Sequence, residues 1–253
     1  MLKNLAGKGA LIIGAKRVGH VIGRRMAQEG INLAIAYRHS QAEAEMLQNE
    51  VASLVEKTAL IQGDISIEET VQSMVKTAKQ ELGDLSFVVN LASGFPKTPF
   101  ETLDGKAWEN SLSDAKGSYL LGVYASRELM KNSGSSRGHM IFFSDWAALE
   151  TPYKDFLPYL TAKSAIDFMT RAFAVELAEY RILVNAIAPG PTQRPADISP
   201  ESWQKDVVEQ TPLKRESSAE EIAEAIVMLL KSETITGETI RFDSGRYLVG
   251  PGL

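Results

Sequence analysis

Short runs of apolar residues alternate along the chain with longer segments in which apolar residues recur every three or four positions. The short runs predict buried β-strands, and the periodic segments predict amphipathic helices. The predicted strands are residues 10–13, 32–36, 59–61, 87–89, 140–143, 182–187 and 239–242. The predicted helices are residues 17–28, 41–56, 67–82, 108–131, 159–178 and 219–231. Apolar strands separated by helices indicate an α/β fold with a parallel sheet covered on both faces.

One domain over residues 1–253 is expected, because no repeat, low-complexity segment or linker interrupts this alternation. The least regular part is residues 189–215, directly after the predicted strand at 182–187. Its prolines are Pro189, Pro191, Pro195, Pro200 and Pro212. A long irregular segment at a strand end is often a substrate lid, and a plain surface excursion is the alternative.

Composition narrows the possible functions. The net charge of −5 and the scattered basic residues argue against a nucleic-acid surface. There are no cysteines, and His20, His39 and His139 lack the spacing of metal ligands, so no metal site is expected. No apolar stretch approaches the ~20 residues that span a bilayer, and the N-terminus lacks a signal-peptide pattern. We therefore expect a cytoplasmic protein with neither a nucleic-acid nor a membrane partner.

Tyr159 and Lys163 lie four residues apart at the start of the predicted helix 159–178. Residues at this spacing share a helix face, so the phenol and the ammonium can reach one site. A nearby ammonium favours the phenolate, which predicts a Tyr159 pKa below its usual ~10. A tyrosine tuned in this way can exchange a proton with a substrate oxygen near neutral pH. The same spacing also occurs by chance on many helices.

Gly14 and Gly19 bracket the turn between the first predicted strand and the first predicted helix. Glycines at this position let a diphosphate approach the backbone at a helix N-terminus, where amides and the helix dipole favour negative charge. Two glycines also fit a plain strand-to-helix turn. Their position in the first βα unit favours a nucleotide site.

The end of the second predicted strand indicates which nucleotide would bind. An NAD site usually has a carboxylate there for the ribose hydroxyls, but the first acidic residue is Glu43, in the next helix. Arg38 can instead pair with a 2′-phosphate, helped by Ser40 and by Lys16 or Arg17. This pattern favours NADPH over NADH as cofactor, and the alternative is that Arg38 is a solvated loop residue.

Further landmarks recur in order over almost the whole chain. They are the glycine turn at 14–19, residues 63–64, 90–93, Tyr159 with Lys163, and residues 185–190, 236–237 and 243–245. With this ordered set the chain resembles the short-chain dehydrogenase/reductase family. The resemblance implies a Rossmann-type, doubly wound, mostly parallel seven-stranded sheet, with hydride transfer from a nicotinamide. It also implies Tyr159 as the acid, Lys163 at the nicotinamide ribose, and a homotetramer or homodimer.

The resemblance also extends the predicted cofactor site. The residues expected to bind NADP are Gly14, Lys16, Arg17, Val18, Gly19, Arg38, His39, Ser40, Asp64, Ile65, Asn90, Ala92, Ser93, Lys163, Pro189, Gly190 and Thr192.

Within the family the chain is most similar to the pteridine reductase and dihydromonapterin reductase branch. That branch has arginine in the glycine turn, matched at 16–17, and arginine near the end of the second strand, matched by Arg38. It also replaces the usual catalytic serine with an aspartate that helps deliver a proton to the pterin ring, and Asp145 takes that place. Enoyl reductases of the superfamily space tyrosine and lysine seven apart. Phe156 stands seven before Lys163, which disfavours enoyl reduction.

Five departures from the family pattern stand out, and one is that residues 243–245 read Asp-Ser-Gly where the family has Asp-Gly-Gly. The glycine turn is one residue shorter, and Leu91 replaces an asparagine. Asp114 stands where the family has its structural and catalytic asparagine, and the interval between Asp145 and Tyr159 is one residue longer. Asp114 is accordingly a candidate catalytic residue.

Residues beside Asp145 complete the predicted site. Ser144 would supply the missing catalytic hydroxyl if the register slips by one, or it is a strand-end polar group bonded to backbone. Phe95 and Trp146 can stack on a flat heterocycle, or serve as ordinary hydrophobic wall residues. Tyr153 joins them as a predicted substrate-binding residue.

The leading hypothesis is an NADPH-dependent reductase of a small carbonyl or pterin-type substrate. The nearest alternative is a 3-oxoacyl or simple ketone reductase, because the fold alone does not determine the substrate. A different class is an NADP-binding protein with little or no catalysis, which Leu91, Asp114 and the short glycine turn favour.

Overall fold

All seven predicted strands form, and they lie in one parallel sheet. The computed structural model describes residues 4–194 and 198–250. The strands are β1 (Gly9–Ile13), β2 (Asn32–Tyr37), β3 (Thr58–Gln62), β4 (Phe87–Asn90), β5 (Gly138–Phe143), β6 (Ile182–Pro189) and β7 (Thr239–Phe242). The helices are α1 (Val18–Gln28), α2 (Gln41–Val51), α3 (Glu68–Leu82), α4 (Gly105–Leu129), α5 (Leu157–Glu176), α6 (Pro200–Asp206), α7 (Ala219–Lys231) and α8 (Arg246–Val249).

Helices cover both faces of the sheet, as the uniformly apolar strands predicted. Successive side chains of a strand point to opposite faces, so Leu11 and Ile12 of β1 enter different cores. Leu11 belongs to a cluster with residues of α3, α4 and α5. Ile12 belongs to a cluster with residues of α1, α2 and α7. The sheet is therefore buried between two hydrophobic cores.

The strand order is β3-β2-β1-β4-β5-β6-β7. The chain runs outward in one direction from β1 to β3, then returns to the other side of β1 and continues to β7. In such sheets ligands bind in the crevice at the carboxyl ends of the strands, where the order reverses. The loops after β1 and β4 therefore meet at one crevice.

Helix ends differ from the predicted ones where a local cap or turn decides them. The helix predicted at 108–131 begins three residues earlier, because Asp104 caps it by accepting a 2.7 Å hydrogen bond from the Ala107 amide. The helix predicted at 159–178 is α5, which begins at Leu157 and has Pro158 in its first turn. Hydrophobic periodicity locates a helix better than it locates its ends.

Two short helices were not predicted. α6 lies in the irregular segment 189–215, and α8 follows β7. Both are too short to show a clear 3.6-residue period. Pro195, which belongs to the predicted lid, lies outside the described residues. Across residues 4–194 and 198–250, no helix has the length and apolar character to cross a membrane.

Candidate active site

A cleft of about 900 Å³ opens at the carboxyl ends of the strands. Its wall includes every residue predicted for catalysis and substrate binding, and every predicted cofactor residue except Asn90. The sheet topology thus brings into one cavity residues that lie far apart in the sequence. The cleft has a catalytic end around Tyr159 and a nucleotide end around Arg38.

At the catalytic end, the end of β5 meets the start of α5. The Tyr159 hydroxyl donates a hydrogen bond of 2.8 Å to Oδ2 of Asp145. Oδ1 of Asp145 accepts a 2.9 Å bond from the Ala147 amide, which holds the carboxylate in place. Tyr153 also interacts with Asp145 through a side-chain hydrogen bond. Asp145 therefore connects two phenols in the wall of the cleft.

Lys163 lies one helical turn beyond Tyr159 and is only 3% exposed. Its ammonium donates a 2.8 Å bond to the Phe143 carbonyl, and Nζ lies 5.8 Å from the centroid of the Tyr159 ring. The spacing of four residues does bring the two side chains to one site. The phenol, however, bonds to a carboxylate rather than to the ammonium.

The predicted lowering of the Tyr159 pKa was wrong for this structure. Burial and the negative charge of Asp145 raise the pKa of the Tyr159 phenol well above its ordinary value. Burial lowers the pKa of Lys163, against the opposing charges of Asp114 and Asp145. The prediction counted only the nearby cation, whereas desolvation and a bonded carboxylate dominate.

Two carboxyls at this end, the buried Asp145 and the partly buried Asp114, favour protonation more than a solvated carboxyl does. Burial raises the pKa of Asp145, although the Ala147 amide, Tyr159 and Lys163 oppose the rise. Burial likewise raises the pKa of Asp114. These groups can therefore hold protons at a higher pH than a solvated carboxyl can.

Asp114, on α4, binds the loop that follows β4. Its Oδ2 accepts a 2.8 Å bond from the Gly94 amide and a 3.3 Å bond from the Ser93 hydroxyl. The next residue of that loop is Phe95, which forms part of the cleft wall. Asp114 thus fixes the loop that carries an aromatic wall residue.

The predicted polar residues Ser144 and Asn90 bond inside the protein. The Ser144 hydroxyl donates a 3.3 Å bond to the Lys163 carbonyl, so it joins β5 to α5 as a strand-end polar group. The Asn90 side chain donates to Ser118 at 3.0 Å and accepts from the Ala92 amide at 3.1 Å. Asn90 is not among the residues that line the cleft, and its predicted contact with the cofactor stays a prediction.

Aromatic side chains line the catalytic end. The Phe95 ring stacks on Phe156 at 4.5 Å and meets the Tyr159 ring edge-on at 5.0 Å. Trp146 stacks on Tyr153 at 5.8 Å. Aromatic walls of this kind suit a flat, partly apolar substrate.

The glycine turn has the backbone geometry that a diphosphate site needs. Gly14 has φ of +96°, a region that favours glycine. A Cβ on Gly19 would lie 2.0 Å from the Gly14 carbonyl oxygen, so only glycine fits. The turn leads directly into α1, whose N-terminal amides favour an anion. These residues fit the diphosphate of a dinucleotide cofactor.

Two cations stand at the nucleotide end, each in a surface ion pair. Arg38 is 3.1 Å from Asp64, and Lys16 is 2.7 Å from Glu43. Their side chains are 61% and 60% exposed, so the pairs are weak and easily exchanged for another anion. Ser40, the predicted helper of Arg38, is the N-cap residue of α2 and lines the cleft with His39.

Arg17 does not join these two cations. Its Nε donates a 3.1 Å bond to the Gln193 side chain, and its guanidinium also bonds to the Gln193 carbonyl. It therefore ties the glycine turn to the segment after β6. In that segment Thr192 bonds to the Gly190 carbonyl at 3.0 Å.

Several residues of the cleft wall were not predicted individually, although some lie in the predicted lid at 189–215. They include Phe156, Gln193, Trp203, Asp206, Val207 and Arg246. Three of these residues, Trp203, Asp206 and Val207, lie in α6 or directly after it. Because α6 was not predicted, these wall residues were not predicted individually either. The available signal was an aromatic residue within the proline-rich segment, which a solvated loop seldom contains.

The fold and the site together define a dinucleotide-dependent oxidoreductase. The chain matches the family model described as enoyl-(acyl carrier protein) reductase over residues 14–246. It therefore belongs to the short-chain dehydrogenase/reductase family, whose members use NAD or NADP and act on small molecules. The name of that family model does not show that this chain reduces enoyl substrates. The prediction against enoyl reduction stays a prediction.

Several characterised relatives are similar over nearly their whole length. Glucose 1-dehydrogenase 2 of Bacillus subtilis (strain 168) is 28% identical, with 98% of each chain covered. The 3-oxoacyl-[acyl-carrier-protein] reductase FabG of Staphylococcus aureus (strain Mu50) is 27% identical, covering 95% of this chain and 98% of FabG. The structure of FolM alternative dihydrofolate reductase 1 from Brucella canis, complexed with NADP, superimposes with a TM-score of 0.85 and is 28% identical. It covers 97% of this chain and 96% of FolM.

Proposed function

We propose that this protein is an NADPH-dependent reductase of a carbonyl or pterin-type substrate, with Tyr159 as the proton donor. The observation that carries the proposal is the 2.8 Å bond from the Tyr159 hydroxyl to Asp145, in the same cleft as the glycine turn and Arg38. Proton donor and cofactor-binding residues thus face one cavity. That arrangement fits hydride and proton delivery to a single substrate.

Tyr159 would donate its proton to the substrate oxygen or nitrogen as the double bond is reduced. NADPH supplies the hydride when it is bound. The raised pKa of Tyr159 keeps the phenol protonated at neutral pH, as a donor must be. An alkoxide developing on a carbonyl is a far stronger base than a phenolate, so the transfer stays favourable despite the raised pKa.

Lys163 would hold the nicotinamide ribose and stabilise the negative charge left on Tyr159. Its ammonium has three donors, so the bond to the Phe143 carbonyl is compatible with a further bond to a ribose hydroxyl. Its charge also offsets part of the negative charge of Asp114 and Asp145. These roles need no movement of the helix that carries both residues.

The position and burial of Asp145 support a pterin-type substrate in particular. A ring nitrogen that accepts a proton needs an acid beside it, and burial raises the pKa of Asp145 toward that role. The same carboxylate accepts the Tyr159 bond, so it can orient the phenol or exchange a proton with it. The similarity to FolM, an alternative dihydrofolate reductase, supports the same substrate class.

The preference for NADPH is supported by charge at the nucleotide end. Arg38 and Lys16 are exposed cations in the cleft wall, with His39 and Ser40 beside them. A 2′-phosphate would replace the weak pairs to Asp64 and Glu43, and Arg38 can bind it with two parallel hydrogen bonds. Of the relatives, FolM is complexed with NADP.

The direct test is steady-state reduction by the purified protein with NADPH and with NADH. The panel should contain a 7,8-dihydropterin, an acetoacetyl thioester, a simple ketone and an enoyl thioester. We expect the dihydropterin to have the highest kcat/KM, and NADPH to be preferred. NADPH binding without oxidation across the panel would instead support the weakly catalytic NADP-binding protein.

A second candidate is a 3-oxoacyl reductase, which the similarity to FabG favours. The two candidates share the hydride and proton chemistry and differ in the substrate that the aromatic wall accepts. A higher kcat/KM for the acetoacetyl thioester than for the dihydropterin would support this candidate. The comparison should be made at equal, saturating NADPH.

The remaining proposals concern the location of the protein in the cell, its oligomeric state and its substrate lid. We propose a cytoplasmic homotetramer or homodimer, which light scattering of the purified protein would test. The segment 189–215 is proposed as a substrate lid, and this is supported by Trp203, Asp206 and Val207 in the cleft wall. Replacing Trp203 with alanine should raise the KM for substrate more than the KM for NADPH.

A further inference from the structure

A hydrogen-bonded bridge joins the glycine turn to the segment after β6. Nε of Arg17, in the turn, donates a 3.1 Å bond to the Gln193 side chain, and the guanidinium also bonds to the Gln193 carbonyl. Both residues line the cleft. The proposed reduction gives Gln193 no role, so the purpose of this Arg17–Gln193 bridge is open.

The bridge spans the crevice from one side to the other. In the sheet, β4 and β5 lie between β1 and β6. Adjacent strands are about 4.8 Å apart, so the ends of β1 and β6 are roughly 14 Å from each other. A bond between a residue that follows β1 and a residue that follows β6 therefore crosses the ends of the two strands between them. The loops after those strands line the middle of the cleft.

The segment after β6 is anchored to the backbone next to the bridge. The Gly190 amide donates a 2.7 Å bond to the Phe242 carbonyl, and the Ser217 amide donates a 2.7 Å bond to the Pro191 carbonyl. The path of this segment is therefore fixed two residues before Gln193. The bridge thus connects two backbone positions that the fold itself determines.

The backbone of Arg17 is strained. Its φ of 54° and ψ of −117° lie in a region that glycine adopts readily and other residues rarely adopt. A residue persists in such a conformation only where surrounding contacts hold it, and residues of this kind cluster at ligand clamps and switch regions. The two bonds to Gln193 are such contacts, so they offset part of the strain.

The bridge can open without a change in the fold. Its hydrogen bonds lie at the exposed mouth of the cleft, where water competes for them and their net strength is modest. With the bridge formed, the cleft still has a volume of about 900 Å³. That volume is within the range of about 300–1,000 Å³ for ligand pockets. The bridge therefore leaves room for a ligand in the cleft.

Building on the dinucleotide binding proposed above, we propose that the Arg17–Gln193 bridge is a strap over the cofactor site, which must open for the cofactor to enter or leave. Gln193 acts on cofactor exchange, and the hydride and proton transfers proceed without it. The strap acts on NADPH and NADH alike, because it lies at the glycine turn, where the diphosphate common to both is expected. The proposed role of Arg38 concerns only the 2′-phosphate.

A competing explanation is that these residues simply contact the bound cofactor. Loss of a simple contact mainly raises the dissociation rate and hardly changes the association rate. Loss of a strap that is closed in the free protein raises both rates by a similar factor, since the same opening precedes entry and exit. Separate measurement of the two rates therefore distinguishes a strap from a contact.

The experiment measures the association and dissociation rates of NADPH and of NADH by stopped-flow nicotinamide fluorescence, for wild type and for Gln193→Ala. The variant lacks the side-chain acceptor of the bridge. We expect both rates to rise by about 2- to 10-fold for each cofactor, the range for one lost hydrogen bond, with Kd within about twofold of wild type. Faster dissociation with unchanged association, or no change in either rate, would overturn the proposal.

Two further variants complete the test. Arg17→Lys keeps the positive charge but lacks the guanidinium fork, and it should raise both rates as Gln193→Ala does. A decrease in the association rate of Arg17→Lys would show an effect of charge placement and would count against the strap. Gln48→Ala removes a glutamine that donates a 3.2 Å bond to Thr58, away from the cleft lining, and should leave every rate unchanged.

The outcomes also separate the strap from the reductase function. Wild-type protein that binds both dinucleotides, with rates that neither bridge variant changes, would refute the strap and leave the reductase function intact. Wild-type protein that binds neither dinucleotide would refute both. Thermal melts check the fold, and Gln193→Ala should melt close to wild type because the bond that it loses is exposed.

Discussion

The charged groups at the two ends of the cleft differ in their exposure to solvent. At the catalytic end, Asp145, Tyr159 and Lys163 are buried and bonded to one another or to backbone, and burial shifts the pKa of each. At the nucleotide end, Arg38 and Lys16 are mostly exposed and form ion pairs at the surface. Desolvation therefore dominates at one end, and solvent screening dominates at the other.

Because of this difference, we expect the two ends of the cleft to affect different properties of the enzyme. Buried groups hold a reacting geometry and change their proton affinity, so substitutions there should alter turnover or the pH dependence of stability. Exposed cations cost little to keep and exchange partners readily, so substitutions there should alter cofactor affinity and selectivity. The predictions below test this contrast, starting with the largest expected effect.

Replacing Tyr159 with phenylalanine should lower kcat by about 10²- to 10⁴-fold, because it removes the proposed proton donor and leaves the ring. The Kd for NADPH, measured by fluorescence titration, should stay within about twofold of the wild-type value. Tyr119→Phe, which changes an exposed tyrosine outside the cleft lining, is the matched control. Retained turnover in Tyr159→Phe would show that another group donates the proton.

Replacing Arg38 with aspartate should raise the KM for NADPH by about 10- to 100-fold, since an attraction to the 2′-phosphate becomes a repulsion. The KM for NADH should change far less, because NADH lacks that phosphate. Arg24→Asp is the matched control, because Arg24 of α1 is also exposed, pairs with Glu50 of α2 and is not among the cleft-lining residues. An unchanged ratio of the two KM values would remove Arg38 from cofactor selection.

Added salt should weaken NADPH binding at the nucleotide end and leave turnover at the catalytic end almost unchanged. Raising ionic strength from low to about 0.5 M shortens the screening length to a few ångströms, so the KM for NADPH should rise several-fold. The value of kcat should change little, because the buried catalytic groups are screened much less. Steady-state kinetics at four or five salt concentrations would check both. Parallel changes in kcat and KM would contradict the contrast between the two ends.

Stability should depend on pH with opposite signs at the two ends. Because burial raises the pKa of Asp145, the folded protein binds more protons than the unfolded chain between the ordinary carboxyl pKa and the raised one. This contribution to stability is full below the ordinary pKa and is lost as pH rises through the raised one. Asp145→Asn should therefore gain thermal stability relative to wild type as pH rises from 4 to 8, which thermal melts at several pH values would measure.

Asp64 provides the opposite case. Burial by itself would raise the pKa of Asp64. Hydrogen bonds from Ser66 and the positive charge of Arg38 outweigh burial, so the pKa of Asp64 is lowered. That contribution to stability is present above the ordinary pKa and is lost as pH falls through the lowered one. Asp64→Asn should lose stability relative to wild type at pH 7 and approach it at low pH. Thermal melts of both variants that shift in the same direction would refute the contrast.

Much of the fold followed from local pattern. Every predicted strand formed, because a run of apolar residues between helices can be buried only inside a covered parallel sheet. The glycine turn, Arg38 and Asp145 could be placed beforehand, since each lies at a strand end and the carboxyl ends of parallel strands share one edge. Residues in helices too short for a period, such as Trp203 and Arg246, had no such signal.

The sequence by itself determined the order of strands and helices, the glycine turn and the helical spacing that brings Tyr159 and Lys163 together. Only the tertiary structure decided which group bonds to the phenol, because Asp145 reaches it from another element. Burial, which raises the pKa of Tyr159, also arises from elements distant in sequence. Local spacing specifies which side chains share a face, whereas desolvation depends on everything packed around them.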